Sequence, residues 1–199
     1  MLLGETGTPT HCAHVTGARS VHVASRAPRV GYAALPGAAT ADITHHLRRV
    51  FPGVHECRDV LEAALSGADP VVRPATILGE LGLIAAADAE RLAIGRALGY
   101  ELLAESELRA AEGGGGSECC RDDAHGILHE GVGLGLVTYV SLGGMLGVPT
   151  PTCETLVARA AAVTGRDYLA EGRRTVERLG LAGLSAEARE GLLQTPRRM

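Results

Sequence analysis

Two thiols and two imidazoles fall close together in this 199-residue chain, at Cys119, Cys120, His125 and His129. Zinc takes both atom types, but its sites favour cysteines with a few residues between them, and adjacent cysteines rarely converge on one ion. The expected reading is therefore free surface residues, with no metal site assigned. His11, Cys12 and His14 make a second, similar cluster. Gly131, Gly133 and Gly135 recur at a spacing that fits neither nucleotide-binding glycine motif, so a tight helix contact is expected there. Gly143, Gly144 and Gly147 carry the same packing signature, for an internal contact or a subunit interface. Gly113 to Gly116 and Ser117 follow no strand pattern and read as a tether. His45 and His46 are expected on the polar face of a helix. The five cysteines are odd in number and show no framework spacing, which predicts reduced thiols.

The elements that must position these groups change in character along the chain. Val21 and Val23, then Val30, Tyr32 and Ala34, alternate with period two and predict two short strands between residues 20 and 35. Thr40 predicts a helix cap before Ile43, Leu47 and Val50, with Pro52 and Gly53 as the stop; a second helix is expected from Asp59 to Leu65. From Asp88 onward helices dominate. Asp88 is expected to cap a helix ending at Leu98, with Gly99 as its left-handed terminator. Pro151 opens a helix to Gly165, Asp167 starts one ending near Gly180, and Ser185 starts a last one.

Composition narrows the classes of function. There are 19 basic and 23 acidic residues and a pI near 6.1, which leaves no electrostatic footprint for nucleic acid. With no Trp, one Phe and four Tyr, the core must be built from Ala, Val and Leu. No stretch approaches the ~20 apolar residues of a membrane span, and the N-terminus lacks a signal-peptide pattern, so a cytoplasmic protein without a membrane partner is expected.

Two blocks carry a family resemblance: Leu65-Ser-Gly-Ala-Asp-Pro-Val-Val-Arg-Pro74 and Leu142-Gly-Gly-Met-Leu-Gly-Val-Pro-Thr-Pro151, the second followed by Gly165-Arg-Asp-Tyr168 and Glu171-Gly-Arg-Arg-Thr-Val-Glu-Arg-Leu-Gly-Leu181. Together with Glu5-Thr-Gly-Thr-Pro9 and Asp88-Ala-Glu-Arg-Leu-Ala-Ile94, in that order, the chain resembles opine dehydrogenases of the octopine and nopaline type. The resemblance implies an α/β part followed by an all-α part: residues 1–74 as the C-terminal portion of a Rossmann-like nucleotide-binding domain, and 75–199 as a helical substrate domain, mainly helical overall. It also implies NAD or NADP as cofactor and reductive condensation of an amino acid with a 2-oxo acid. A homodimer, or a complementing nucleotide-binding chain, is the expected macromolecular partner.

Three departures shape what the resemblance implies for this chain. The G-x-G-x-x-G fingerprint that holds a dinucleotide pyrophosphate matches nowhere in the sequence. The block that supplies the family's catalytic histidine reads Asp69-Pro-Val-Val-Arg73-Pro74 here. Arg73 can grip a carboxylate through two parallel hydrogen bonds but cannot exchange a proton near neutral pH. The family's acidic partner falls at Gly131, leaving the neighbouring Glu130 as the available carboxylate. Arg73 and Glu130 are thus the candidate site residues of a chain expected to be incomplete or inactive alone. The alternatives are a non-catalytic binding or interaction module derived from the helical domain, and a small metal-binding protein built on Cys119, Cys120, His125 and His129.

Overall fold

A computed structural model describes residues 2–3, 11–17, 20–26, 30–34, 45, 49, 54–111 and 124–194. The described residues are mainly helical. The chain divides into two units: Met1–Gly67 with Ser106–Cys120 and Leu184–Met199, and Ala68–Glu105 with Arg121–Gly183.

In the first unit, strand β1 (Leu2–Leu3) pairs antiparallel with β4 (Val30–Ala34), which pairs in parallel with β5 (Val54–Glu56) in the register Val30 to Val54. Strands β2 (His11–Gly17) and β3 (Ser20–Arg26) form a separate antiparallel pair. Strands therefore occupy both segments where the alternation predicts them, and β2 is one that the pattern does not mark. The helix expected after Thr40 lies outside the described residues except at His45 and Arg49, which are helical and exposed. Helix α1 (Val60–Leu65) begins as expected at Asp59, whose Oδ1 accepts from Leu61 N–H at 2.8 Å and Glu62 N–H at 3.1 Å. Ala33, Cys57 and Ala63 pack together beneath Val60.

The second unit is a set of helices. Asp69-Pro70 opens α2 (Asp69–Ile77), because proline's fixed φ suits the first helical positions, where its missing N–H costs no bond. A 3-10 turn at Leu81–Leu83 leads into α3 (Ile84–Ala97); α4 (Glu105–Ala111) follows in the chain and, apart from Glu105, belongs to the first unit. Asp88 does not cap α3: it lies a turn inside it and is buried. The expected terminator is in place, with Gly99 at φ 78°. Helix α5 (Ala124–Glu130) continues through a π-helical segment at Gly131–Leu136 into α6 (Val137–Leu146), which ends on Gly147 at φ 68°.

Helix α7 (Pro151–Thr164) starts and stops as predicted. Its first orphan amides are satisfied from outside the helix, since Thr152 N–H and Cys153 N–H donate to the Glu90 carboxylate at 2.7 and 2.9 Å. Asp167 caps α8 (Tyr168–Glu171) by accepting from Ala170 N–H at 3.0 Å. The helix is far shorter than the expected run to Gly180, because Gly172 leaves it with extended backbone. The last helix, α9 (Ala186–Gln194), belongs to the first unit and is capped by Ser185, which accepts from Ala188 N–H at 3.2 Å. The core of the second unit is aliphatic, as the composition requires: Val71, Ile94, Leu128, Val132, Leu136, Leu142 and Leu156 are all fully buried. Each such side chain contributes about 1.5–3 kcal/mol relative to exposure.

Candidate functional site

The glycines at 131, 133 and 135 decide where the two blocks of the sequence meet. A Cβ on Gly131 would stand 2.7 Å from Cγ of Pro74, and one on Gly135 would overlap Cβ of Pro70. The proline face of α2 therefore lies directly on the glycine face of the π segment, as the spacing predicts for a tight helix contact. On the other side, a Cβ on Gly133 would meet the ring of Tyr168 at 3.6 Å. Glycine here buys close approach on both sides, and the widened π turn is a rare form concentrated at functional sites. The contact brings Arg73-Pro74 beside Glu130-Gly131 although 57 residues separate Arg73 from Glu130. Arg73 is half-buried on α2 and Glu130 is exposed at the end of α5.

One residue before Glu130, His129 enters a polar cluster that the sequence does not announce. Its Nδ1 lies 2.8 Å from the Tyr168 hydroxyl and its Nε2 lies 3.4 Å from Nη1 of Arg166. Tyr168 is buried, so its ring fixes the imidazole from one side. The Arg166 guanidinium is steadied by Glu171, which accepts from Nε at 2.8 Å and also pairs with Nη2. That hydrogen bond, with the Glu171 charge, raises the already high pKa of Arg166. Because a guanidinium only donates, the Nε2 facing it is the accepting nitrogen, and Nδ1–H donates to the tyrosine. Gly165-Arg-Asp-Tyr168 was legible as a block, but its partner 37 to 39 residues upstream was not.

A second polar group lies wholly inside the unit. Arg91 is completely buried on α3; its Nε donates to Asp88 Oδ1 at 2.7 Å and its Nη2 to the Leu103 carbonyl at 2.6 Å. The other Asp88 oxygen accepts from Glu105 N–H at 2.8 Å, so Asp88 caps the start of α4 instead of α3. The nearby Tyr139 hydroxyl is buried without a hydrogen-bond partner among the described residues. Burial pushes it above its ordinary range, against a smaller opposing pull from Arg91. Burial likewise raises the Cys153 thiol, helped by its hydrogen bond with Glu90. This cluster ties α3 to α7 and to the Leu103–Glu105 segment, and leaves no atom facing solvent chemistry at Arg91.

The expected metal ligands divide. Cys119, Cys120 and the His11-Cys12-Ala13-His14 side chains lie outside the described side chains, as does the glycine tether. The rings of His125 and His129 sit 6.4 Å apart, edge to face. Among the described residues no group of three or more candidate ligands converges. Cys57 and Cys153 are buried, reduced thiols. No described helix is long and apolar enough to cross a membrane.

Neither the π segment nor the start of α7 offers a phosphate cradle. A phosphate cradle needs glycines with open space in front of their amides and a free helix N-terminus. Here the glycines of the π segment are covered by Pro70, Pro74 and Tyr168, and the amides opening α7 already hold Glu90.

With this geometry in place, comparison with known proteins gives one direction. No family model matches the chain. The likeness is to an opine dehydrogenase. That protein, from Arthrobacter sp. (strain 1C), is 27% identical over 192 residues, a match that covers 78% of this chain and 53% of the relative. The chain spans about half the length of the curated relative it matches. The likeness points in the same direction as the family resemblance read from the sequence.

Proposed function

We propose that this chain is the helical substrate-binding part, with the closing strands of a Rossmann-like domain, of an opine-dehydrogenase-like oxidoreductase that condenses an amino acid with a 2-oxo acid. The observation that carries the proposal is the packing of Pro74 on Gly131. It sets side by side the two blocks that hold the family's catalytic groups, in a chain whose relative bears that name. The parallel pairing of β4 and β5 is consistent with the closing part of an α/β domain. NAD or NADP is the cofactor that the resemblance implies.

In this reading Arg73 grips the 2-oxo acid carboxylate through its planar fork, and Glu130 lies on the rim of the same site as the available carboxylate. Arginine suits this role because it stays charged at every accessible pH and matches a carboxylate with two donors. Calorimetric titration of the chain with pyruvate tests it. Pyruvate should bind, and Arg73→Ala should weaken it by about ten- to a hundredfold, the worth of a hydrogen bond to a charged group. A folded chain that binds neither pyruvate nor L-alanine at millimolar concentration would favour the alternative, an interaction module without substrate chemistry.

A further inference from the structure

We infer that Arg166 and His129 form a two-point site for the amino acid substrate, with Arg166 Nη1 taking its carboxylate and His129 Nε2 taking a proton from its ammonium group. The inference rests on the function proposed above and deepens it, since Arg73 cannot exchange that proton. An α-amino acid presents an anion and a protonated amine on one carbon, so it needs an anion-binding donor beside a proton acceptor. Arg166 and His129 supply that pair on neighbouring atoms, 3.4 Å apart.

Three features prepare them. Glu171 occupies the Nε and Nη2 edge of Arg166, which leaves Nη1 as the edge turned to the imidazole. The Tyr168 hydroxyl, 2.8 Å from Nδ1, fixes the ring and leaves Nε2 as its accepting atom. The cluster is also open to solvent at Arg166, whose side chain is 48% exposed, so a small zwitterion can reach it. The guanidinium faces Nε2, so a carboxylate bound on Nη1 holds the substrate beside the accepting nitrogen. The step balances as one proton leaving the substrate ammonium for Nε2, giving a neutral amine and an imidazolium with no change in electron count. The other titratable or charged groups around the ring are His125 and Glu130 on its own helix, Tyr168, Glu171, and Asp69 and Arg73 of the helix packed on α5.

Imidazole nitrogen spectra of the full chain, titrated in parallel with L-alanine, propionate and ethylamine and assigned with His129→Gln, test this directly. Recorded at a pH above the ordinary histidine range, the ring without ligand should carry its proton on Nδ1. L-Alanine should convert it to the imidazolium, propionate should perturb Arg166 without delivering a proton, and ethylamine should do neither. Arg166→Lys should weaken L-alanine by about tenfold or more. A ring that stays neutral at saturating L-alanine, or an L-alanine response unchanged by Arg166→Lys, overturns the inference. Calorimetry on the same samples separates the two levels: binding heat with a silent ring removes the role of His129 and leaves the proposed function standing, whereas absence of heat with either pyruvate or L-alanine removes both.

Discussion

Alanine at Gly135 should cost stability while alanine at Gly144 should add it, and the difference measures the contact that builds the site. Both glycines are helical, so both substitutions gain about the same backbone term, roughly 1 kcal/mol for glycine to alanine. At Gly144 a new Cβ meets nothing within 4 Å, and that gain is realised in full. At Gly135 the Cβ overlaps Pro70, with Cγ at 3.1 Å and backbone Cα at 3.3 Å. A proline ring has no rotamer in which to escape, so α2 must move away from the π segment. Overpacking of this kind costs about 1–3 kcal/mol. The propensity terms cancel between the two variants, leaving Gly135→Ala about 1–3 kcal/mol less stable than Gly144→Ala, or about 2–12 °C in Tm. Urea unfolding with unchanged slope is the assay. If Gly135→Ala matches Gly144→Ala, α2 does not sit on the π segment, and the juxtaposition of Arg73 and Glu130 loses its basis.

Further predictions concern the buried polar cluster. Arg91→Met leaves Asp88 buried without its guanidinium and should destabilise the chain by about 3–5 kcal/mol in the same assay. Tyr139→Phe removes a buried hydroxyl that has no partner among the described residues and should raise stability by about 1 kcal/mol. The raised thiol of Cys153 sets an alkaline limit. In the unfolded chain it ionises near its ordinary value of 9.0, while in the folded chain it keeps its proton, so stability is full below that pH and falls above it. The fall approaches about 1.4 kcal/mol per pH unit for one group, and Cys153→Ala should flatten it until Tyr139 contributes in the same sense above its ordinary value of 10.0.

Helix ends were legible where local chemistry sets them. Asp59, Pro151, Asp167 and Ser185 mark starts, and Gly99 and Gly165 mark stops, because a cap needs only neighbouring residues. Asp88 misleads for an instructive reason. An acidic residue before a helix-forming run looks like a cap, but Arg91 three residues later lies on the same helical face and neutralises it inside the fold. Strict two-residue spacing of Gly131, Gly133 and Gly135 did announce a close contact, though not that α2 and Tyr168 would fill its two sides. The His129 cluster had no local signal at all, because its partners come from the loop and short helix after α7 and meet it only through packing.

In the function proposed above, this chain carries the substrate chemistry of an opine-dehydrogenase-like reaction. The most direct test is NAD(P)H oxidation by the chain joined to an intact nucleotide-binding half, with L-alanine and pyruvate supplied separately and together. The account predicts oxidation only when both are present, with the condensed secondary amine as product and strong loss in Arg73→Ala. Oxidation independent of L-alanine, or none from a folded fusion that binds the nucleotide, would contradict it.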